Sequence, residues 1–179
     1  MMNINSPIST KCRLNSFMTC DSVHVDPATG KHTLLGIFSS IRAKEFPVVH
    51  PRMTWFLSLS ELNKGKHHLK ISMVDPTGEL ESKVIIDRDF DAPDPQHRVN
   101  LVNDIHRLKF SEAKTYSIVI EVDDEIVFVD SFPVKDALKE AESKLQQLLE
   151  DHDEYDDDED YDEYDDDDEY GYPDDDSVF

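Results

Sequence analysis

Basic residues are missing from the end of this 179-residue chain. Residues 150–179 contain no Lys or Arg, yet they carry 19 of the chain's 40 acidic residues. The first 149 residues hold the other 21 acids against all 18 basic residues, a net charge of −3. The chain is thus a near-neutral body of one-domain size with a polyacidic end. No overall basic footprint exists for nucleic acid, so direct nucleic-acid binding is not expected. No apolar run approaches the ~18 residues a membrane-spanning helix needs, so no membrane insertion is expected. Cysteine is scarce: Cys12 and Cys20 form no Cys-x-x-Cys pair, which argues against a disulfide framework. Residues 1–10 lack a basic stretch followed by an apolar one, so the sequence reads as a cytoplasmic protein with free thiols. Glycine is also scarce, five in all, and no Gly-rich phosphate or dinucleotide loop occurs.

What the chain has is apolar alternation with period two. Met53, Trp55, Leu57 and Leu59 fall on one face of an extended segment, with Thr54, Ser58 and Ser60 opposite and Phe56 as the exception. Leu69, Ile71 and Met73 repeat the pattern, as do Tyr116, Ile118, Ile120 and Val122. Period two predicts strands. About eight are expected, at 14–25, 32–42, 52–61, 67–75, 80–90, 98–109, 115–123 and 125–134. No helical pattern separates them, which disfavours a parallel sheet with crossover helices and favours an antiparallel β-sandwich or barrel.

The turn chemistry agrees. Asp26-Pro27-Ala28-Thr29-Gly30-Lys31 and Asp75-Pro76-Thr77-Gly78 are near copies, with Pro presetting φ, Asp bonding nearby backbone and Gly supplying a left-handed position. The first is no phosphate cradle, because the P-loop spacing and the following helix are missing. The Pro-rich stretch 91–96 is expected to join two sheets. Phe46, Val48 and Val49 lie in a second proline-flanked connection. It fits either a crossover packed on the core or a loop that contacts a partner. After residue 134 the period becomes helical. Leu138, Ala141, Leu145 and Leu148 form one stripe over 135–150, with Asp136 as the N-cap. The stripe suits docking on the domain's own apolar surface. The alternative is pairing with another copy, and Leu138, Leu145 and Leu148 would then form the homo-oligomer contact.

Residues 151–179 cannot offset folding entropy and are expected to be disordered. Tyr155, Tyr161, Tyr164, Tyr170 and Tyr172 are interleaved with the acids, and Phe179 closes the chain. Aromatics among carboxylates can stack on Arg guanidinium groups, so a basic protein surface is the expected partner. A solubility role alone needs no aromatics. An EF-hand loop centred on Gly171 fails, because Ser177 falls where a bidentate Glu is required.

No catalytic pattern emerges. The eight histidines include no His-Glu-x-x-His, and adjacent His67 and His68 point to opposite faces of a strand. No nucleophile elbow is present. Asp21 and Asp130 interrupt apolar runs, which places each at a sheet edge or in a hydrogen bond. No catalytic residue, metal ligand or cofactor is therefore expected, and the protein is read as a non-enzyme.

Two resemblances follow. Glu112-Ala113-Lys114-Thr115-Tyr116-Ser117-Ile118 resembles the tyrosine-corner stretch of immunoglobulin-like domains, with Tyr116 opening a strand after a turn. Glu112, Lys114 and Ile118 depart from that pattern's Asp, Gly and Cys. More specifically, Cys20-Asp21-Ser22-Val23, Asp26-Pro27-Ala28-Thr29-Gly30-Lys31, Leu34-Leu35-Gly36-Ile37-Phe38, Phe46-Pro47 and His50-Pro51 together resemble an uncharacterised family of bacterial β-domains over about residues 14–134. That resemblance implies a small β-domain and no site residues. The sequence thus predicts a lead-in (1–13), an immunoglobulin-like β-sandwich (14–134), an amphipathic helix (135–150) and an acidic tail (151–179). The expected role is a protein-interaction or adaptor module. The alternatives are a tail acting alone as a nucleic-acid mimic or chaperone for basic proteins, and a structural subunit joined through the helix.

Overall fold

The computed structural model describes residues 12–75 and 82–153, with side chains in the helix described as far as Leu149. The chain divides into two units, Met1–Ala141 and Glu142–Phe179. The first is almost all strand: β1 (Arg13–Val25), β2 (His32–Ile37), β3 (Ile41–Ala43), β4 (Val48–Ser60), β5 (Gly65–Val74), β6 (Lys83–Ala92), β7 (Val99–Phe110), β8 (Lys114–Val122) and β9 (Glu125–Asp136). One helix, α1 (Ala137–Asp153), begins in the first unit and continues into the second. The strands form a four-stranded sheet, β2-β1-β4-β7, and a five-stranded sheet, β3-β9-β8-β5-β6.

Nine strands are present among the described residues where about eight were expected. The segment 32–42 is two strands, not one. Gly36 sits at φ +64°, and a Cβ there would lie 2.0 Å from the Asp21 carboxylate, so only glycine fits. Beyond it the Phe38 N–H bonds the Thr19 carbonyl, and the chain crosses to the other sheet. There β3 pairs with the end of β9 in parallel, Ile41 against Val134, the one parallel pairing in an otherwise antiparallel arrangement of described strands. The 91–96 connection does join the sheets, as expected, leading from β6 to β7.

Side chains of both sheets share one apolar core. Trp55, Met53, Leu57 and Leu59 of β4, Leu69 and Ile71 of β5, Phe110 of β7 and Ile118 and Ile120 of β8 are all fully buried. Each large apolar side chain buried this way contributes about 1.5–3 kcal/mol. The expected polar face of β4 is buried too, with Thr54, Phe56 and Ser58 all covered. The reason is position. β4 is central, and the β1–β2 hairpin brings the His32 ring to 5.5 Å from Phe56. Thr54 donates its hydroxyl hydrogen to Asp104 at 2.6 Å across the β4–β7 ladder.

Local signals behave as their chemistry requires. In the β1–β2 turn Asp26 accepts the Ala28 N–H at 2.8 Å, and Gly30 takes φ +67°. The second Asp-Pro turn begins at Asp75, but its Pro76-Thr77-Gly78 portion lies outside the described residues. Asp136 caps α1, its Oδ1 accepting the N–H groups of Leu138 and Lys139 at 3.0 and 3.2 Å. The helix runs two residues later than expected at its start and three at its end, because β9 continues through Asp136. Tyr116 donates its hydroxyl hydrogen to the Glu112 carbonyl at 3.3 Å, four residues back at the start of β8.

A candidate partner-binding seam

Each strand has two backbone edges, and the register shows which are filled. Toward β4, β1 is paired from Arg13 to Cys20; on its other side β2 takes only Cys20 to Val25. The lower part of β1, up to Met18, therefore has no strand beside it on that edge among the described residues. β9 is similar. β8 covers one edge, while β3 takes the other only from Val134 onward. These two open edges belong to different sheets and face each other. Phe17 bridges them, its ring 5.9 Å from Trp55 and 6.4 Å from Phe128.

Beside that bridge lies a groove of about 340 Å³. Phe17 and Met18 of β1, Ile37 and Phe38 at the end of β2, and Phe132 of β9 supply apolar walls; Asp130 is the one charged lining residue. Met18 is 40% exposed and Ile37 61% exposed, so large apolar groups stand open to solvent there. Leu35, two residues before Ile37, and Val129, next to Asp130, are also exposed. Clustered exposed apolar surface beside a groove marks an interaction site more often than a scattered leucine does. Asp130 half-covers the edge, its Oδ1 accepting the Ser131 N–H at 2.8 Å. Pro133, two residues on, has no N–H to offer.

A second gap separates the sheets on the opposite side, where β6 and β7 run close without pairing. It is smaller, about 200 Å³, and polar, lined by Lys83, Asp104, His106 and Arg107 among others. Arg107 takes φ +55° within β7. Arg88 of β6 donates to the Asn103 side-chain oxygen at 2.9 Å, and Asn103 donates in turn to the Trp55 carbonyl at 3.2 Å. The Thr54 hydroxyl, with Arg52 beside it, holds the Asp104 carboxyl below the usual range.

Two adjacent histidines of β5 sit against aspartates. As expected, His67 and His68 face opposite ways. His67 Nδ1 lies 2.7 Å from Asp123, its Nε2 lies 2.8 Å from the Asn63 carbonyl, and its ring stacks on Phe90. His68 lies between Asp89 (2.9 Å) and Asp87 (3.0 Å) of β6. The hydrogen bond to Asp89 leads in raising the His68 pKa. Among the described residues no three His, Cys, Asp or Glu side chains are grouped to hold a metal ion. Lys114 bonds Asp75, which is nearly fully buried, and Glu112 at 2.6 Å; these bonds raise its pKa. Both cysteines are free and buried, and burial pushes the Cys12 thiol up to about 11, far from a reactive thiolate.

The residues singled out from sequence fall in different places. Phe46 and Val48 are half-buried against the core, as a packed crossover requires. Val49 is 46% exposed and sits opposite Lys109 in the β4–β7 ladder. None of the three lines the β1–β9 groove. Leu138, Leu145 and Leu148 are exposed on α1. Tyr155, Tyr161, Tyr164, Tyr170, Tyr172 and Phe179 lie outside the described residues. Sequence reasoning missed Met18 and Ile37. The available signal was Asp130, an acid inside an apolar run. Among the described residues no helix is long and apolar enough to cross a membrane.

Several solved structures share part of this arrangement. An alkylpurine DNA glycosylase of Pseudomonas fluorescens bound to DNA containing an abasic site analog aligns at 12% identity and a TM-score of 0.42, over 70% of this chain and 30% of that one. A β-glucosidase of Kluyveromyces marxianus aligns at 11% identity and a TM-score of 0.40, over 55% of this chain and 15% of that one. β-Glucosidase 3B of Thermotoga neapolitana aligns at 12% identity and a TM-score of 0.38, over 50% and 15%. This chain thus spans less than a third of each, and likenesses at these scores carry no argument about activity. No curated protein matches the chain. The sequence pattern pointed to an uncharacterised family, and a family model agrees: it matches residues 15–135, and the chain belongs to the family of unknown function DUF6941.

Proposed function

We propose that this protein is a non-enzymatic interaction module: an immunoglobulin-like β-sandwich that recognises a protein partner, with an acidic C-terminal segment that draws basic partners in. The observation that carries this reading is the division of labour along the chain. A near-neutral body displays an open apolar seam, and residues 150–179 add 19 acids with no basic residue to offset them. Such a charge field raises encounter rates with a basic surface and weakens with salt, while the apolar contact sets lifetime. The tyrosine-corner bond and the order of strands support the immunoglobulin-like assignment.

The test is affinity capture at low and moderate salt with the full chain and a chain ending at Glu150, bound proteins being identified by mass spectrometry. The expected result is one specific partner retained by both, captured faster by the full chain at low salt. Capture by the full chain alone, of a broad basic set lost on adding salt, would overturn this reading in favour of a tail that shields or chaperones basic proteins by itself.

A further inference from the structure

Resting on the interaction reading, we infer that the β1–β9 groove is the recognition site, and that its occupant is a partner segment presenting an apolar side chain next to a Lys or Arg. Three observations lead there. The groove has apolar walls from Phe17, Met18, Ile37, Phe38 and Phe132, with Thr19, Ser39 and Ser131 as polar lining between them, and its volume, about 340 Å³, suits one or two large apolar side chains rather than a bulky ligand. Its charge has one sign. Asp130 lies in the wall, and Asp21 sits on Gly36, the residue before Ile37; no basic residue lines it. The acidic segment of the same chain selects partners of the same sign.

The way the occupant is held follows from the β9 edge. The Ser131 N–H is already taken by Asp130, and Pro133 has none, so the edge is protected against adding a continuous strand. Recognition therefore falls to side chains. An apolar group enters between Ile37 and Phe132, and a cation meets the outer oxygen of Asp130. In a groove that excludes water from one side, that ion pair gains over its fully exposed counterpart.

The test uses the full-length protein, isotopically labelled, with amide shifts followed by NMR at moderate salt. The probe is a capped peptide, Ser-Lys-Leu-Lys-Val-Ser. Its controls replace both lysines by Glu, or replace Leu and Val by Ser. The expected result is saturable shifts at Met18, Ile37 and Ser131 with the first peptide and not with either control. Ile37→Glu and Asp130→Lys should each weaken it about tenfold, roughly one RT ln 10 step, with the unfolding midpoint unchanged. Should Ile37→Glu misfold, Met18→Lys, at a position that is already exposed, serves instead. Shifts confined to residues 150–179 would overturn the groove assignment while leaving the interaction reading standing. Equal response to the Glu peptide would overturn the charge assignment. Shifts at Lys83 and Arg107 instead would move recognition to the other seam and overturn this one.

Discussion

The two sides along which the sheets meet are built from different chemistry. On the β1–β9 side aromatic contacts do the joining. Phe17 meets Trp55 and Phe128 in one ring group, and Phe38, Phe132, Phe110 and Tyr116 form a second, with neighbouring ring centroids 5.4–6.4 Å apart. On the β6–β7 side a polar relay does it, from Arg88 through Asn103 to the Trp55 backbone. Aromatic contacts leave apolar surface at the rim when the ring packing stops, and that surface is the groove. A polar relay ends in groups that water satisfies, so its rim is unremarkable to a partner. The difference teaches where recognition should be sought: at the seam whose unfinished edge is apolar.

The largest expected effect breaks the aromatic side. Phe110 is fully buried, edge-on to Tyr116 at 5.4 Å and stacked on Phe132 at 6.2 Å. Phe110→Ala should cost about 3–5 kcal/mol in denaturant unfolding, through lost transfer energy and the cavity left behind. Phe132 floors the groove, so probe binding should fall with it. A loss under 1 kcal/mol would mean the ring chain does not bear the seam.

Breaking the polar side should cost less. Arg88→Met removes the donor to Asn103, which is buried, and strands its side-chain oxygen. An unsatisfied buried acceptor costs about 1–3 kcal/mol. Groove binding should stay unchanged, because Arg88 touches neither β1 nor β9 in the bonds it makes. Equal loss of binding in both variants would erase the contrast between the seams.

How much of this was legible in the sequence follows from how far each signal reaches. The strands of β4, β5 and β8 were legible because period two is local, and the Asp26 turn and Asp136 cap because each bonds backbone two or three residues away. The break at Gly36 had a local signal, a glycine within a strand pattern. Its cause, the Asp21 carboxylate against the Cα, belongs to a register that only the folded hairpin sets. Proline flanks Phe46 and Val48, which left a packed crossover and a contact loop both open; their half-burial against the core is set by distant strands. The groove was illegible for the same reason. Phe17, Ile37 and Phe132 come from three strands in two sheets, and no spacing in one chain announces that they meet. Asp130 was the exception: an acid in an apolar run marks an edge, and the edge is where the groove opened.

The smallest effect sharpens the polar side by pH. His68 is held by Asp89 first and Asp87 second, both on β6, the strand that borders the polar seam. The facing charges include Asp124, which adds to the rise in its pKa above the ordinary 6.5. A raised folded-state pKa means stability that is fully present below about 6.5 and lost as pH climbs through the raised value. Asp89 runs the other way. His68 lowers its pKa, so its share is present above 3.8 and lost as pH falls below it. Both partners therefore contribute together between those limits. His67, raised by Asn63 and Asp123 against the opposing pull of burial, follows His68 in sign. The unfolding midpoint should decline from pH 6 to pH 8 in the wild type and decline less in His68→Gln. Because the pair is exposed and screened, the decline should shrink on adding salt. The bonds of His68 run to Asp87 and Asp89, neither of which lines the groove, so groove binding measured over the same range should not follow the His68 titration. A groove that tracked the His68 titration would show the two seams to be coupled through the core, and the contrast drawn between them would fail.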